Sequence, residues 1–135
     1  MIMDKRKGFT LVETMIVVII VAILGAVAIP ILRARIDSAK WSEGRTMAAT
    51  IATAIRTWAI GTTEVKQNWT PVELTAEKLG FAPGDLSGVY FKTSNFSWSV
   101  NNSKPKLIYV IKITKPDGIG SPGTQILNEA GDWSE

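Results

Sequence analysis

Met15-Ile-Val-Val-Ile-Ile-Val-Ala-Ile-Leu-Gly-Ala-Val-Ala-Ile-Pro-Ile-Leu32 is a run of 18 residues without one charge. Wound into an α-helix at 1.5 Å per residue it covers roughly 27 Å, close to the thickness of a bilayer's hydrocarbon core. Because the run is apolar on every face, it has no side suited to water and must be surrounded by lipid or protein. Lys5, Arg6 and Lys7 crowd in front of it beside a single acid, Asp4. Such a basic cluster stays on the cytoplasmic side, which places the chain from Arg33 onward on the far side. The expectation is a single pass through a membrane, N-terminus inside.

The rest of the composition narrows what the chain can do. Its 135 residues suit one domain, and a hydrophobic fraction of 46% is ordinary for a folded protein. Residues 1–8 hold three of the 15 basic residues and one of the 12 acidic ones, so much of the formal charge of +3 belongs to the N-terminal tip. That argues against the basic surface expected of a nucleic-acid binder. Cysteine and histidine are both absent. Their absence removes disulfides, thiolate or imidazole zinc sites, and Ser-His-Asp or Cys-His nucleophilic chemistry.

After Leu32 comes Arg33-Ala34-Arg35, not a small-residue cleavage pattern of the secretory kind, so the apolar segment is expected to be retained. In front of it stands Lys5-Arg6-Lys7-Gly8-Phe9-Thr10-Leu11-Val12-Glu13. Here the sequence resembles the leader junction of type IV prepilins and type II secretion pseudopilins. The resemblance covers residues 5–35 and implies a leader of residues 1–8, cut by prepilin peptidase between Gly8 and Phe9. It further implies N-methylation of Phe9, a filament-assembly glutamate at Glu13, and a bend near Pro30. The domain organisation that follows is leader 1–8, membrane and filament-core helix 9–32, and a pilin-like globular domain 33–135 that includes the second half of the helix.

These features also have a physical reading. A charge at the bilayer centre costs about 2.5–3.5 kcal/mol and less near an interface, so Glu13 calls for a partner. Cleavage after Gly8 would free an α-amino group on Phe9, and a staggered neighbour could bring that cation to Glu13; a buried pair of this kind specifies register more than it adds stability. Pro30 lacks an N–H and crowds the carbonyl of Ala26, and Gly25 weakens the helix one turn earlier. The stretch from Gly25 to Pro30 is therefore where the helix is expected to bend.

Beyond Leu32 the residues Arg33, Arg35, Asp37, Lys40, Glu43 and Arg45 form a mixed-charge stretch suited to an exposed or subunit-facing helix. Met47, Ile51, Ile55 and Trp58 then recur at helical spacing with Ala48, Ala52 and Ala54, up to a stop at Gly61. A helix over residues 9–60 would be on the order of 75 Å long. Thr70-Pro71-Val72-Glu73 reads as a capping box opening a short helix that ends at Gly80. The period then changes to two. Strands are expected at residues 89–92, 96–101, 106–114 and 124–127, with turns at Ser94-Asn95, Asn101-Asn102 and Pro116-Asp117-Gly118. The fold class is α+β: a long N-terminal helix packed on a small antiparallel sheet of three or four strands, whose apolar face covers residues 47–58.

The function expected from the resemblance is structural rather than enzymatic: a subunit of a type IV pilus or of a secretion pseudopilus, homo-oligomeric in a helical filament. Its partners would be prepilin peptidase, an inner-membrane assembly platform with a cytoplasmic ATPase behind it, and lipid before assembly; its final place would be extracellular or periplasmic. No cofactor or metal is implied. Asp85, Asp117 and Asp132 sit near glycines in turns, without the Asp-x-Asp-x-Asp-Gly spacing of a calcium loop, and are read as turn chemistry. The alternatives are a membrane-anchored extracytoplasmic binding or hydrolase domain, for which Glu64, Glu73, Glu77 and Asp85 show no pairing in sequence, and a minor pilin-like protein in DNA uptake. The last would use Trp41, Trp58, Trp69, Trp98 and Trp133 as stacking platforms, a role for which core and subunit contacts are the preferred reading.

Overall fold

The computed structural model describes residues 8–61, 74–103 and 106–135. One long helix, α1 (Leu11–Gly61), is followed by a 3-10 turn at Thr93–Asn95 and four strands: β1 (Phe96–Ser103), β2 (Lys106–Thr114), β3 (Thr124–Asn128) and β4 (Trp133–Ser134). By its contacts the chain divides into two compact units, Met1–Ile36 and Asp37–Glu135.

In the first unit, α1 is apolar on every face between Met15 and Leu32, and its large apolar side chains between Leu11 and Leu32 are each more than half exposed. An isolated helix keeps all its backbone hydrogen bonds within itself, which is why a sequence rich in Ile and Val, poor helix formers in water, is nonetheless suited to this form in lipid. The helix is continuous across Gly25 and Pro30.

In the second unit, the buried residues of α1 are Trp41, Gly44, Ala48, Ile51, Ala52 and Ile55, the three-and-four spacing of one helical face. This stripe starts two turns earlier than the expected residues 47–58, and Met47 and Trp58 flank it half-buried. Small residues at 44, 48 and 52 let other parts of the unit come close. A Cβ on Gly44 would lie 2.9 Å from the ring of Phe91, which is fully buried and packs in tilted contacts against Trp41 and Phe96, with ring centroids 5.3 Å and 6.0 Å away. On the exposed side, the hydroxyls of Thr46, Thr50, Thr53 and Thr57 each donate to the carbonyl four residues back, at 2.9–3.1 Å. These β-branched residues thus satisfy themselves within the helix.

The sheet is an antiparallel meander in the order β1-β2-β3-β4. Its register puts Trp98 opposite Ile111, Ile111 opposite Leu127, and Leu127 opposite Trp133, with Phe96–Ile113 and Val100–Tyr109 in neighbouring rows. Phe96, Val100, Tyr109, Ile111, Ile113 and Leu127 are buried in the same core as the α1 stripe. The alternation expected for residues 96–101 therefore holds: Ser97 and Ser99 face outward.

Three expectations need correction. Residues 89–92 are not a strand; the fourth strand is Trp133–Ser134, too short to show a period. Asn101 and Asn102 belong to β1 rather than to a turn, and the link between β1 and β2 falls at residues 104–105, outside the described residues. The capping box at Thr70–Glu73 also lies outside them, and the described continuation to Gly80 is a turn, not a helix. That turn still ends as a helix would. The Phe81 N–H donates to Ala76 O at 3.0 Å and the Gly80 N–H to Glu77 O at 2.9 Å, with Gly80 at φ +87°. This is the Schellman arrangement, and its left-handed position is why glycine stands there.

Candidate processing and assembly segment

Gly8, Phe9 and Thr10 are non-helical and exposed, with Phe9 80% accessible. Helix α1 starts directly after them because Thr10 and Glu13 form a reciprocal cap. The Glu13 N–H donates to Thr10 Oγ1, and the Thr10 N–H donates to Glu13 Oε2, each at 3.2 Å; the Thr10 hydroxyl also lies 3.2 Å from that carboxylate oxygen. The first main-chain helical bond runs from the Thr14 N–H to Thr10 O at 3.2 Å. Two of the orphan donors of the helix end are thereby satisfied. Glu13 thus has a partner in its own chain, which the Thr-x-x-Glu spacing of residues 10–13 signals and which a reading centred on charge alone overlooks.

Of the other expected positions, Gly25 faces open space, with nothing near where a Cβ would stand, and Pro30 is exposed within the helix. Among the described residues Arg33 and Arg35 make no ion pair or hydrogen bond. The charges after them are engaged by the head. Lys40 donates to Gly118 O at 3.2 Å and pairs with Asp37 at 3.6 Å. Arg45 Nε donates to the buried Gln125 Oε1 at 2.8 Å and lies over the Trp133 ring, while Arg56 donates to Glu129 O and lies over Tyr109. From Asp37 onward the mixed-charge stretch thus also fastens the head, while Arg33, Arg35 and Arg45 remain exposed as expected.

Glu43 is the most specific of these fastenings. Its Oε1 accepts the N–H groups of both Tyr90 and Phe91 at 2.9 Å, holding residues 88–92 as a loop where β propensity alone suggests a strand. Burial pushes its carboxyl up, but the N–H groups of Phe91, Tyr90 and Val89, with Lys92 nearby, outweigh that and hold it below the ordinary glutamate value.

Several of the residues named for other chemistries are accounted for locally. Asp85 accepts the Ala82 N–H at 2.7 Å, and Asp132 lies in the β3–β4 turn organised by Asn128, which accepts from the N–H groups of Ala130 and Asp132. Glu64, Glu73 and Trp69 lie outside the described residues. Among the described residues no three acidic side chains converge. Trp41 is in the core, and Trp98 donates its indole N–H to Leu74 O at 2.8 Å.

Comparison with known proteins bears on the same segment. A family model described as the prokaryotic N-terminal methylation motif matches residues 3–29. A fimbrial protein of Moraxella nonliquefaciens is 46% identical over 55 residues, which is 41% of this chain and 36% of that relative. The chain therefore spans little more than a third of the length of the curated relative it matches. No solved structure gives a significant match. The chain thus carries the prokaryotic N-terminal methylation motif at residues 3–29, at the head of a long helix followed by a four-stranded antiparallel sheet, an α+β architecture of the pilin-like kind.

Proposed function

We propose that this chain is a structural subunit of a type IV pilus or of a type II secretion pseudopilus. A prepilin peptidase cuts it after Gly8, the new Phe9 α-amino group is methylated, and the mature chain is packed into a helical filament by an inner-membrane platform that a cytoplasmic ATPase drives indirectly. The observation that carries this reading is the exposure of residues 11–32 on every face, in the one described helix long and apolar enough to cross a membrane. A surface of that kind is first accommodated by lipid and then, in a fibre, by the same segment of other copies. The methylation motif and the fimbrial relative support it from the side of sequence.

Glu13 fits this course of events. In the uncut chain it accepts from Thr10. After the cut, the Phe9 ammonium of a neighbouring copy is a stronger, charge-assisted donor for the same carboxylate, and methylation keeps its charge. Intact-mass and N-terminal sequence measurements on sheared surface fibres and on washed membranes from the native cells test the reading. A chain beginning at Phe9 and one methyl group heavier, abundant in fibres, is the outcome expected of a pilin; the same chain confined to membranes points to a pseudopilus or minor subunit. A chain that still carries residues 1–8 in both fractions overturns the processing scheme.

A further inference from the structure

We propose that Thr10 is a positioning residue for the maturation cut: as the helix cap it keeps the Gly8–Phe9 bond outside the helix and open to a peptidase. This rests on the processing reading above. In the cut, water adds its oxygen to the Gly8 carbonyl carbon and the carbon–nitrogen bond breaks, leaving a Gly8 carboxylate and a Phe9 ammonium. A peptide bond wound into a helix has its carbonyl tied into the helical ladder and its two sides wrapped by neighbouring turns, so a peptidase must unwind it first. Here the first helical residue is Leu11, and Gly8 and Phe9 stand clear of the ladder.

The direction of the effect follows from where the helix would start if the Thr10 cap were lost. Retreat to the next capping side chain, Thr14, would strip main-chain hydrogen bonds from residues 11–13 at the edge of an apolar phase, where unpaired backbone groups are costly. Advance is easier. Gly8 is about as good a cap as threonine, whereas valine or alanine is a poor one, so without the Thr10 hydroxyl the start moves upstream to Gly8. Phe9 then becomes the first helical residue and the bond to be cut enters the first turn. Glu13 contributes as the other half of the cap, and glutamine serves equally at that position.

The test uses the full chain in lipid nanodiscs with a prepilin peptidase, following the initial rate of cleavage by intact mass. Thr10→Val keeps the shape and removes the hydroxyl; Thr10→Ser keeps the hydroxyl. The expected result is that Thr10→Val is cut about fivefold more slowly than the parent, whereas Thr10→Ser and Glu13→Gln stay within about twofold, in line with their retained caps. Amide exchange at Val12, whose N–H gains the Gly8 carbonyl as acceptor when the helix starts at Gly8, gives a readout independent of the peptidase: protection there should rise in Thr10→Val and not in Thr10→Ser. A parent chain that is not cut after Gly8 overturns the processing reading itself. A parent that is cut, with Thr10→Val cut equally fast and unchanged in exchange, overturns the role given to Thr10 alone.

Discussion

The two halves of α1 solve opposite problems. Between Leu11 and Leu32 every large side chain is more than half exposed, whereas from Trp41 to Ile55 one face is buried by the chain's own head. The first half is uniform around its circumference and so selects no face; lipid suits it, and so does any neighbour with a like surface. The second half is amphipathic, its small residues at 44, 48 and 52 admit a close approach, and its charges are matched one by one to Gln125, Gly118 O, Glu129 O and the N–H groups of Tyr90 and Phe91. What differs is where the helix gets its surroundings: from outside the chain in one half, from within it in the other.

The sharpest way to break that comparison is to make the same truncation in both halves. Ile51 is fully buried among the core residues, and Ile51→Ala should destabilise the head by about 2–5 kcal/mol, through lost burial plus the cavity left behind. Ile19 is 55% exposed, and Ile19→Ala should leave the head's unfolding within about 0.5 kcal/mol of the parent. Both are read from denaturant unfolding of the full detergent-solubilised chain, followed by tryptophan fluorescence. Equal losses from the two substitutions would remove the distinction drawn here.

Gly44→Ala asks a finer question, whether the second half is built for close approach or merely tolerates it. The added methyl meets the Phe91 ring at 2.9 Å, and that ring is wedged between Trp41 and Phe96. The greater helix propensity of alanine is worth about 1 kcal/mol in the other direction, while overpacking costs about 1–3 kcal/mol. A net loss of stability is expected, relieved in the double variant with Phe91→Leu. A Gly44→Ala chain more stable than its parent would mean that Phe91 has room to move.

How far the fold could be read in advance tracks the same division. The apolar run at residues 15–32 speaks for itself, since a bilayer-length stretch needs no long-range partner to be recognised. In the second half, Ile51 and Ile55 are visible from their spacing. Trp41 and Gly44 are hidden, because a lone aromatic and a glycine among six charges resemble an exposed surface until their partners, Phe91 among them, are in place. Val89 and Tyr90 have the composition of a strand, but Glu43 takes two of the N–H groups that a ladder would need. β4 escaped because two residues carry no period, and its position comes from the Asn128 turn that folds it back on β3. In the proposed processing segment Gly8, Phe9 and Glu13 stand out in the sequence, while Thr10, the residue that caps the helix, is legible only as half of a Thr-x-x-Glu pair.

The smallest effect expected concerns Glu43, and it separates charge from geometry in the fastening of residues 88–92. Its carboxyl is held below the ordinary value because the N–H groups of Phe91, Tyr90 and Val89 and the nearby Lys92 outweigh the opposing effect of burial. A carboxyl that is more acidic in the folded chain than in the unfolded one stabilises the fold fully above its unfolded value, near about 4.3. As pH falls below that, the unfolded chain takes up the proton first, and the contribution fades until the folded value has also been passed. Glu43→Gln keeps an oxygen for Tyr90 and Phe91 but cannot titrate. The difference in denaturation midpoint between parent and Glu43→Gln, measured on the full chain from pH 7 to pH 3, should therefore be constant down to about 4.3 and shrink below it. A difference that stays constant down to pH 3 would assign the fastening to the shape of the acceptor and not to its charge. In that case the loop would be held in the same way as Arg45 holds Gln125, by a hydrogen bond insensitive to acid.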